Sequence, residues 1–162
     1  MSALKQFEQV WTRENATTRK VLHAIPDDQA EFKTSPNVKA AREVAHIFSM
    51  GQGAMLAALD GSWKFPPSFP KAPATLAEVR KAFDESTKAL QGALAKAKEA
   101  RMDEKVMFMT GPKQPGEMSV STFCWFMLLD TIHHRGQLSI YLRAMGAKVP
   151  SIYGPSADEP WM

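Results

Sequence analysis

The sequence predicts an all-α protein, a four-helix bundle, and two observations support this. Apolar residues recur at three-to-four spacing in four stretches of the chain, which is the repeat of an amphipathic helix. Each stretch also begins at a residue that favours helix initiation and ends near a proline or a glycine. We therefore expect helices near residues 2–24, 36–60, 75–100 and 119–145.

Length and composition set the class of protein. The 162 residues fit a single domain over 1–162 that buries a core without disulfides. The one cysteine, Cys124, excludes an internal disulfide, and we expect a cytoplasmic protein. No stretch approaches the ~20 apolar residues of a membrane span, so no membrane partner is expected. The net charge of +3 comes from interleaved basic and acidic residues, which argues against nucleic acid as a partner.

Start and end signals justify the first three helices. Ser2 is a suitable N-cap for the first helix, and Pro26 ends it. The Ser-Pro pair at 35–36 supplies an N-cap and a proline in the first helical position, so the second helix is expected to run from there to Gly61. The sequence TLAE at 75–78 matches a capping box and predicts the start of the third helix.

The proline-rich stretch between the second and third helices predicts an ordered loop. Its three aromatic residues, Trp63, Phe65 and Phe69, are expected either to pack over one end of the bundle or to cover a pocket mouth, and we favour plain packing. Gly51 and Gly53 inside the second helix indicate close approach of a backbone or a ligand, unless they are merely tolerated there.

The regions on either side of the fourth helix are irregular. Residues 103–117 combine the sequence VMFM, a possible short extended piece, with the turn sequence TGPKQPGE. The fourth helix is expected to start near Ser119 or Ser121 and to close at Gly146. The tail after it is too rich in proline for more than a packed strap.

The fourth helix is apolar on both sides in its first half, because Trp125, Leu128 and Ile132 point away from the face that carries Asp130 and His134. A helix that is buried all round needs a cover on its second side. We expect that cover to be the partner in a homodimer, with the loops as the alternative.

The opposite face of this helix carries polar residues in its middle, where apolar residues flank them. Asp130, His133, His134 and Gln137 lie on this face at about 100° per residue, and the flanking residues predict that they are buried. Asp130 and His134, at positions i and i+4, either bind one metal ion together or form an ordinary buried ion pair.

The layout of four helices, His46 in the middle of the second, the sequence HHRGQ at 133–137 and the ending VPSIYGPSADEP together resemble the DinB/YfiT-like superfamily. The resemblance covers nearly the whole chain. It implies a bundle of up-down-down-up topology, often dimeric, that holds a divalent metal through three side chains.

Carried over residue by residue, the resemblance implies His46, Asp130 and His134 as the metal ligands. Asp130 stands where many members have histidine, which gives a set of two histidines and one carboxylate that suits Zn, Ni, Fe or Mn. His133 is the local rival, expected either at the wall of the site or as a core histidine. Cys124 is expected in the core rather than as a nucleophile.

The resemblance implies three functions for such a site. The first is a metal-dependent, S-transferase-like enzyme that activates a low-molecular-weight thiol for attack on a small electrophilic substrate, and the second is a hydrolase that activates water. The third is a stress-related bundle that binds metal or ligand without turnover. Glu43, one turn before His46, is the acid–base partner that the sequence offers.

Overall fold

The computed structural model describes residues 2–162, which form four α-helices and one antiparallel β-hairpin. Two short 3₁₀ turns lie at Asp27–Gln29 and Glu99–Asp103. None of the helices within residues 2–162 is long and apolar enough to cross a membrane. The elements in chain order are α1 Ala3–His23, α2 Ala41–Asp60, α3 Leu76–Lys96, β1 Lys105–Gly111, β2 Gln114–Ser119 and α4 Val120–Ala144. The four predicted helices are present, but the chain is not purely α-helical.

Three of the helices begin where the side-chain caps were predicted. The hydroxyl of Ser2 accepts from the backbone N–H three residues on, at 3.3 Å, and Ser119 does the same for α4 at 3.1 Å. At α3 the capping box is complete, because Thr75 Oγ1 accepts from the Glu78 N–H and Glu78 Oε2 accepts from the Thr75 N–H. Caps of this kind satisfy backbone donors that a helix leaves unpaired at its start.

Helix α2 begins at Ala41 rather than near residue 36, so the Ser-Pro signal was misread. The reason lies in the loop before it. The backbone N–H groups of Ala41 and Arg42 donate to the carbonyls of Phe32 and Ala30, each at 2.9 Å. Glu43 Oε2 accepts from the N–H of the residue before Ala41 at 2.8 Å. These contacts satisfy the start of the helix five residues later than the sequence signal indicates.

Helices α2 and α3 run in the same direction. The rings of Phe48 and Phe83 meet edge to face at 6.3 Å between centroids, and four residues further on Gln52 bonds to Thr87. Residue numbers therefore rise together along both helices, so a position on α2 can be matched with its neighbour on α3.

Helices α2 and α4 run in opposite directions. Tyr141 near the end of α4 donates its hydroxyl proton to the carbonyl of Lys39, just before α2 begins. Further along α2, a Cβ added to Gly51 would lie 3.4 Å from Thr131 Oγ1, which is ordinary van der Waals contact. His46 lies between these two contacts and is consequently at about the level of His134.

The second side of α4 is covered by α1 of the same chain. The ring of Trp125 packs edge to face on Phe7 at 5.3 Å, Leu128 is buried, and Ile132 packs against the same cluster. For Leu128 the expected partner or loop is not needed, because α1 packs beside α4 and buries it, whereas Trp125 and Ile132 are only partly buried. A homodimer stays a prediction, and the large apolar residues that α4 exposes are Phe126, Leu129 and Ile140.

The hairpin and the loop after α2 pack on each other. The strands β1 and β2 pair antiparallel, and Trp63 donates its indole N–H to the carbonyl of Met107 at 2.9 Å. The Trp63 ring also packs on Phe108 and Phe123. Plain packing of the loop aromatics is thus confirmed for Trp63.

Candidate functional site around His46

The polar face of α4 forms a chain of contacts. The side-chain amide of Gln137 donates to Nε2 of His133 at 2.9 Å, and its carbonyl oxygen lies 2.9 Å from Nδ1 of His134. Nε2 of His134 lies 3.5 Å from Asp130 Oδ1. A proton on Nδ1 of His134 satisfies the Gln137 oxygen; Nε2 either carries a second proton and pairs with the carboxylate, or stays unprotonated and can bind a metal beside it.

This polar face is less buried than the apolar pattern predicts. The side chain of Asp130 is 42% exposed and that of His134 is 20% exposed, and His133 is exposed. The expectation of a buried carboxylate was wrong, because Asp130 is only half-buried.

His46, in contrast, is buried, with 6% of its surface exposed. Its Nδ1 lies 3.1 Å from the hydroxyl of Ser49, whereas its Nε2 has no hydrogen-bond partner in the part of the chain that the structure describes. Burial lowers the pKa of His46 below its ordinary value, and nearby Arg42 lowers it further, while the backbone of Pro70 opposes the shift. The ring is therefore neutral near pH 7.

The contacts of Ser49 are compatible with two tautomers of the His46 ring. The hydroxyl has one proton and two acceptors in reach, the His46 carbonyl at 2.9 Å and His46 Nδ1 at 3.1 Å. When the carbonyl takes that proton, Nδ1 carries the ring proton and Nε2 presents a lone pair, which suits a base or a hydrogen-bond acceptor. When Nδ1 takes it, Nε2 carries the ring proton, which the nearby backbone of Pro70 favours.

His46 lines a pocket of about 740 Å³ between α2, α3 and the loop after α2. This volume lies within the ordinary range for sites that bind small molecules. The loop residues Trp63 and Phe69 also line this pocket. The alternative prediction, that aromatic residues of this loop lie at a pocket mouth, therefore applies to these two residues. The pocket is lined mainly by small or apolar side chains, among them Met50, Gly53, Ala54, Ala57, Ala82 and Ala89, with Ser49 and Ser86 near them.

The two glycines of α2 have different surroundings. Gly51 faces α4, where an added Cβ would lie 3.4 Å from Thr131 Oγ1 and 3.8 Å from the Met127 carbonyl, which is ordinary van der Waals contact. A Cβ on Gly53 would meet nothing within 4 Å among the described residues, because it faces the open pocket.

The three predicted metal ligands are not gathered. Among residues 2–162, no three His, Cys, Asp or Glu side chains form a group that could hold a metal ion. Asp130 and His134 form a pair on α4, and His46 lies level with them on α2 but lines the pocket on the α3 side. As the side chains stand, they do not fit a three-ligand metal site.

Two further candidates have structural roles here. Glu43 accepts from the backbone at the start of α2 rather than contacting His46, which makes it part of the helix cap. Cys124 is buried, and burial raises the pKa of its thiol to about 12. A thiol that stays protonated at neutral pH is a poor nucleophile.

Sequence reasoning missed a buried ion pair. Arg135, 1% exposed, donates through Nη2 to Glu14 Oε2 at 2.8 Å and through Nη1 to the hydroxyl of Thr18 at 3.3 Å. Tyr153 from the tail donates its hydroxyl proton to the same Glu14 oxygen at 2.7 Å. The sequence does contain a signal for this pair, because the polar residues Glu14 and Thr18 lie on the apolar face of α1. Spacing alone could not identify their partner on another helix.

The fold and the site define a helical bundle with a β-hairpin and a pocket beside a buried histidine. The sequence matches the DinB family over residues 1–161, and the chain belongs to that family. A relative in Bacillus subtilis (strain 168), the uncharacterized protein YrdA, is 25% identical over 158 residues, which cover 96% of this chain and 91% of YrdA.

Solved structures with the same fold include DinB-like proteins and an isomerase. A DinB-like protein from Bacillus cereus ATCC 10987 superposes with a TM-score of 0.72 at 22% identity, covering 92% of this chain and 97% of its own. The DinB-like protein YjoA of Bacillus subtilis gives 0.71 at 16% identity, covering 97% and 99%. Mycothiol-dependent maleylpyruvate isomerase gives 0.62 at 12% identity, covering 94% of this chain and 68% of the isomerase.

Proposed function

We propose that this DinB-family protein is an enzyme that acts on a small molecule in the pocket between α2 and α3, with His46 as the group that moves a proton. The observation that carries the proposal is Nε2 of His46, which is buried at the pocket wall without a hydrogen-bond partner in residues 2–162. Leaving a buried polar atom unpaired costs roughly 1–3 kcal/mol. A ligand that bonds to Nε2 would remove that cost.

The reaction class that we favour is transfer of a thiol to an electrophile. The thiol S–H proton passes to Nε2 of His46, and the sulfur forms a bond to the electrophilic carbon. The electron pair of the broken bond leaves with the leaving group, which takes the proton back from the imidazole. A neutral imidazole near pH 7 is ready to act as such a base, and burial keeps the His46 pKa low.

Two further observations support this reaction class. A solved structure with this fold is named a mycothiol-dependent isomerase, and its name gives a thiol as that enzyme's co-reactant. The directions of the helix pairs also agree with the up-down-down-up order of the bundle that the resemblance implies. We extend the thiol to this chain as a proposal.

Binding of a divalent metal is a second candidate, and the pair on α4 favours it. With a proton on Nδ1 held by the Gln137 oxygen, Nε2 of His134 would be free to bind a metal beside Asp130 Oδ1, which is how a metal-binding histidine is commonly oriented. A third ligand from His46 would require its side chain to turn toward α4. When bound at this pair, Zn, Ni, Fe or Mn would supply Lewis acidity to the site.

Thiol consumption tests the first proposal. The purified protein is incubated with several low-molecular-weight thiols, each with an electrophile, and with added metal or with chelator. We expect consumption that is lost in His46→Ala and retained in His133→Ala, a matched change of an exposed histidine. Turnover without any thiol would assign hydrolysis instead, and no turnover under any pairing would leave a binding protein without catalysis.

Elemental analysis tests the second candidate. We expect His134→Ala and Asp130→Ala to lose metal relative to the unaltered protein, and His46→Ala to lose it only if that side chain completes the site. Equal metal content in all four proteins would remove metal binding at these residues.

A further inference from the structure

The His46 pocket has two ends of different polarity. His46 and Ser49 line one end, and Ala57 and Ala89 line the other together with Trp63. His46 and Ala57 are eleven residues apart on one helix, which at ~1.5 Å per residue separates them by roughly 16 Å. The pocket is thus an elongated groove along α2.

The groove between these ends favours hydrocarbon. Its sides are formed by the small or apolar residues Gly53, Ala54 and Ala82. A polar group placed there would lose its hydration without gaining hydrogen bonds, which costs free energy. The charged lining residues, Lys64 and Glu85, are exposed to solvent and can keep their water.

The His46 end favours a hydroxyl or a thiol. Nε2 of His46 makes no hydrogen bond with any residue from 2 to 162, and the contacts of Ser49 are compatible with the ring proton on either nitrogen. A hydroxyl or a thiol both donates and accepts, so it can bond to Nε2 in either tautomer, whereas a carboxylate only accepts and cannot bond to a lone pair on Nε2.

We propose that the pocket binds an elongated, mainly hydrocarbon molecule with one neutral donor, a hydroxyl or a thiol, bonded to Nε2 of His46. The hydrocarbon part lies along α2 toward Ala57 and Trp63. This inference names the substrate class for the proposed function and rests on the same pocket, but binding is measurable without turnover.

Trp63 provides the readout, because its ring lines the pocket. The protein is titrated with 1-octanol, 1-octanethiol and octanoate while tryptophan fluorescence is recorded, and Trp63→Phe assigns the signal. We expect saturable binding of the alcohol and the thiol, each at least tenfold tighter than octanoate. Shortening the alcohol should weaken binding by about fourfold per methylene, the factor that corresponds to ~0.8 kcal/mol.

Two glycines offer a matched pair of variants. A Cβ on Gly53 or on Gly92 would meet nothing within 4 Å among the described residues, and both lie inside helices. Gly53 lines the His46 pocket, whereas Gly92 lines an adjoining groove that shares only Glu85 and Ala89 with it. We expect Gly53→Leu to weaken octanol binding at least tenfold and Gly92→Leu to leave it within twofold.

His46→Ala tests the head group. Loss of one hydrogen bond should weaken octanol binding roughly two- to tenfold and reduce its advantage over octanoate. Equal binding of octanol and octanoate by the unaltered protein would overturn the donor assignment. The absence of a saturable Trp63 signal would contradict ligand binding in this pocket. Equal effects of the two glycine variants would contradict it as well.

Binding and turnover separate this inference from the proposed function. Tight octanol binding by a protein that consumes no thiol would support the ligand class and contradict the enzyme. Thiol turnover that is unchanged in Gly53→Leu would support the enzyme and contradict the ligand class.

Discussion

Two buried polar residues of this bundle have opposite surroundings. Arg135 has a hydrogen-bonded partner on both terminal nitrogens, through Glu14, Thr18 and Tyr153. His46 is nearly as buried, yet its Nε2 lacks a partner within the described residues. Buried polar groups that are fully satisfied hold a fold together, whereas one that stays unsatisfied is a candidate for binding a ligand. We therefore assign Arg135 to stability and His46 to function.

Breaking the satisfied cluster should have the largest effect on stability. Arg135→Met leaves the buried Glu14 carboxylate with only the exposed Arg13 as a charge partner, at 3.6 Å, and breaking a buried pair typically costs about 3–5 kcal/mol. Urea unfolding measures the loss. The double variant Glu14→Leu with Arg135→Met serves as the control, because it leaves no charge stranded and should recover most of the stability. A loss below about 1 kcal/mol in the single variant would contradict the structural role.

Removing the unsatisfied histidine should have a smaller effect on stability. His46→Leu removes an unpaired nitrogen and one hydrogen bond to Ser49, two contributions of opposite sign and about 1 kcal/mol each. We expect the free energy of unfolding to stay within about 1 kcal/mol of the original while octanol binding weakens. A loss as large as that of Arg135→Met would show that His46 serves the fold.

The free energy of unfolding should fall in acid, and His46 should be one cause. Burial lowers the pKa of His46 in the folded chain, so the unfolded chain binds a proton more readily. The contribution of the neutral His46 ring to the free energy of unfolding is fully present above the unfolded pKa of about 6.5. It is lost as pH falls below that value toward the folded pKa. In His46→Leu this loss should be smaller when unfolding is measured from pH 8 to pH 5.

His23 is the control for this pH effect. Burial and then the neighbouring Arg19 and Arg80 lower its pKa as well, so His23→Gln should remove a separate part of the acid sensitivity. If His46→Leu left the pH dependence of stability unchanged, the pKa of His46 would be the same in the folded and the unfolded chain, which would contradict the lowered pKa.

Asp130→Ala should have the smallest effect in the absence of metal. Asp130 is half exposed and pairs with His134 at 3.5 Å, and exposed pairs contribute about 0–1 kcal/mol. We expect a change below ~1 kcal/mol in the metal-free protein by thermal or urea unfolding. Asp130→His should keep any metal that the α4 pair binds. A loss of several kcal/mol in Asp130→Ala would indicate a pair more buried than the structure shows.

The sequence predicts the helices well where the chain carries its own local signals. Ser2, Thr75 and Ser119 cap helices within a few residues of the expected starts, because a cap needs only neighbours in sequence. The start of α2 was wrong because carbonyls from the loop before it decide where that helix begins. The hairpin was anticipated only as an extended VMFM, since pairing with residues on the far side of a turn is not local.

The site is less predictable because it depends on which helices are neighbours. Spacing identified the Asp130–His134 pair, and the resemblance added His46 as a third ligand of one metal, whereas His46 lines the pocket toward α3. Glu14 appeared on the inner stripe of α1, and HHRGQ contained Arg135, yet no periodicity could join residues 121 positions apart. The resemblance gave the residues, and the packing of the helices decides what each one contacts.

The imidazole of His46 offers the most direct test of the central claim. Long-range ¹H–¹⁵N spectra of the histidine rings, assigned with His46→Ala, report the protonation of each nitrogen during a titration with 1-octanol. We expect a neutral ring at pH 7 and a shift of Nε2 as the ligand binds, with the Arg135 guanidinium signals unchanged. An Nε2 signal that stays constant at saturating ligand would contradict the assignment of His46 to function.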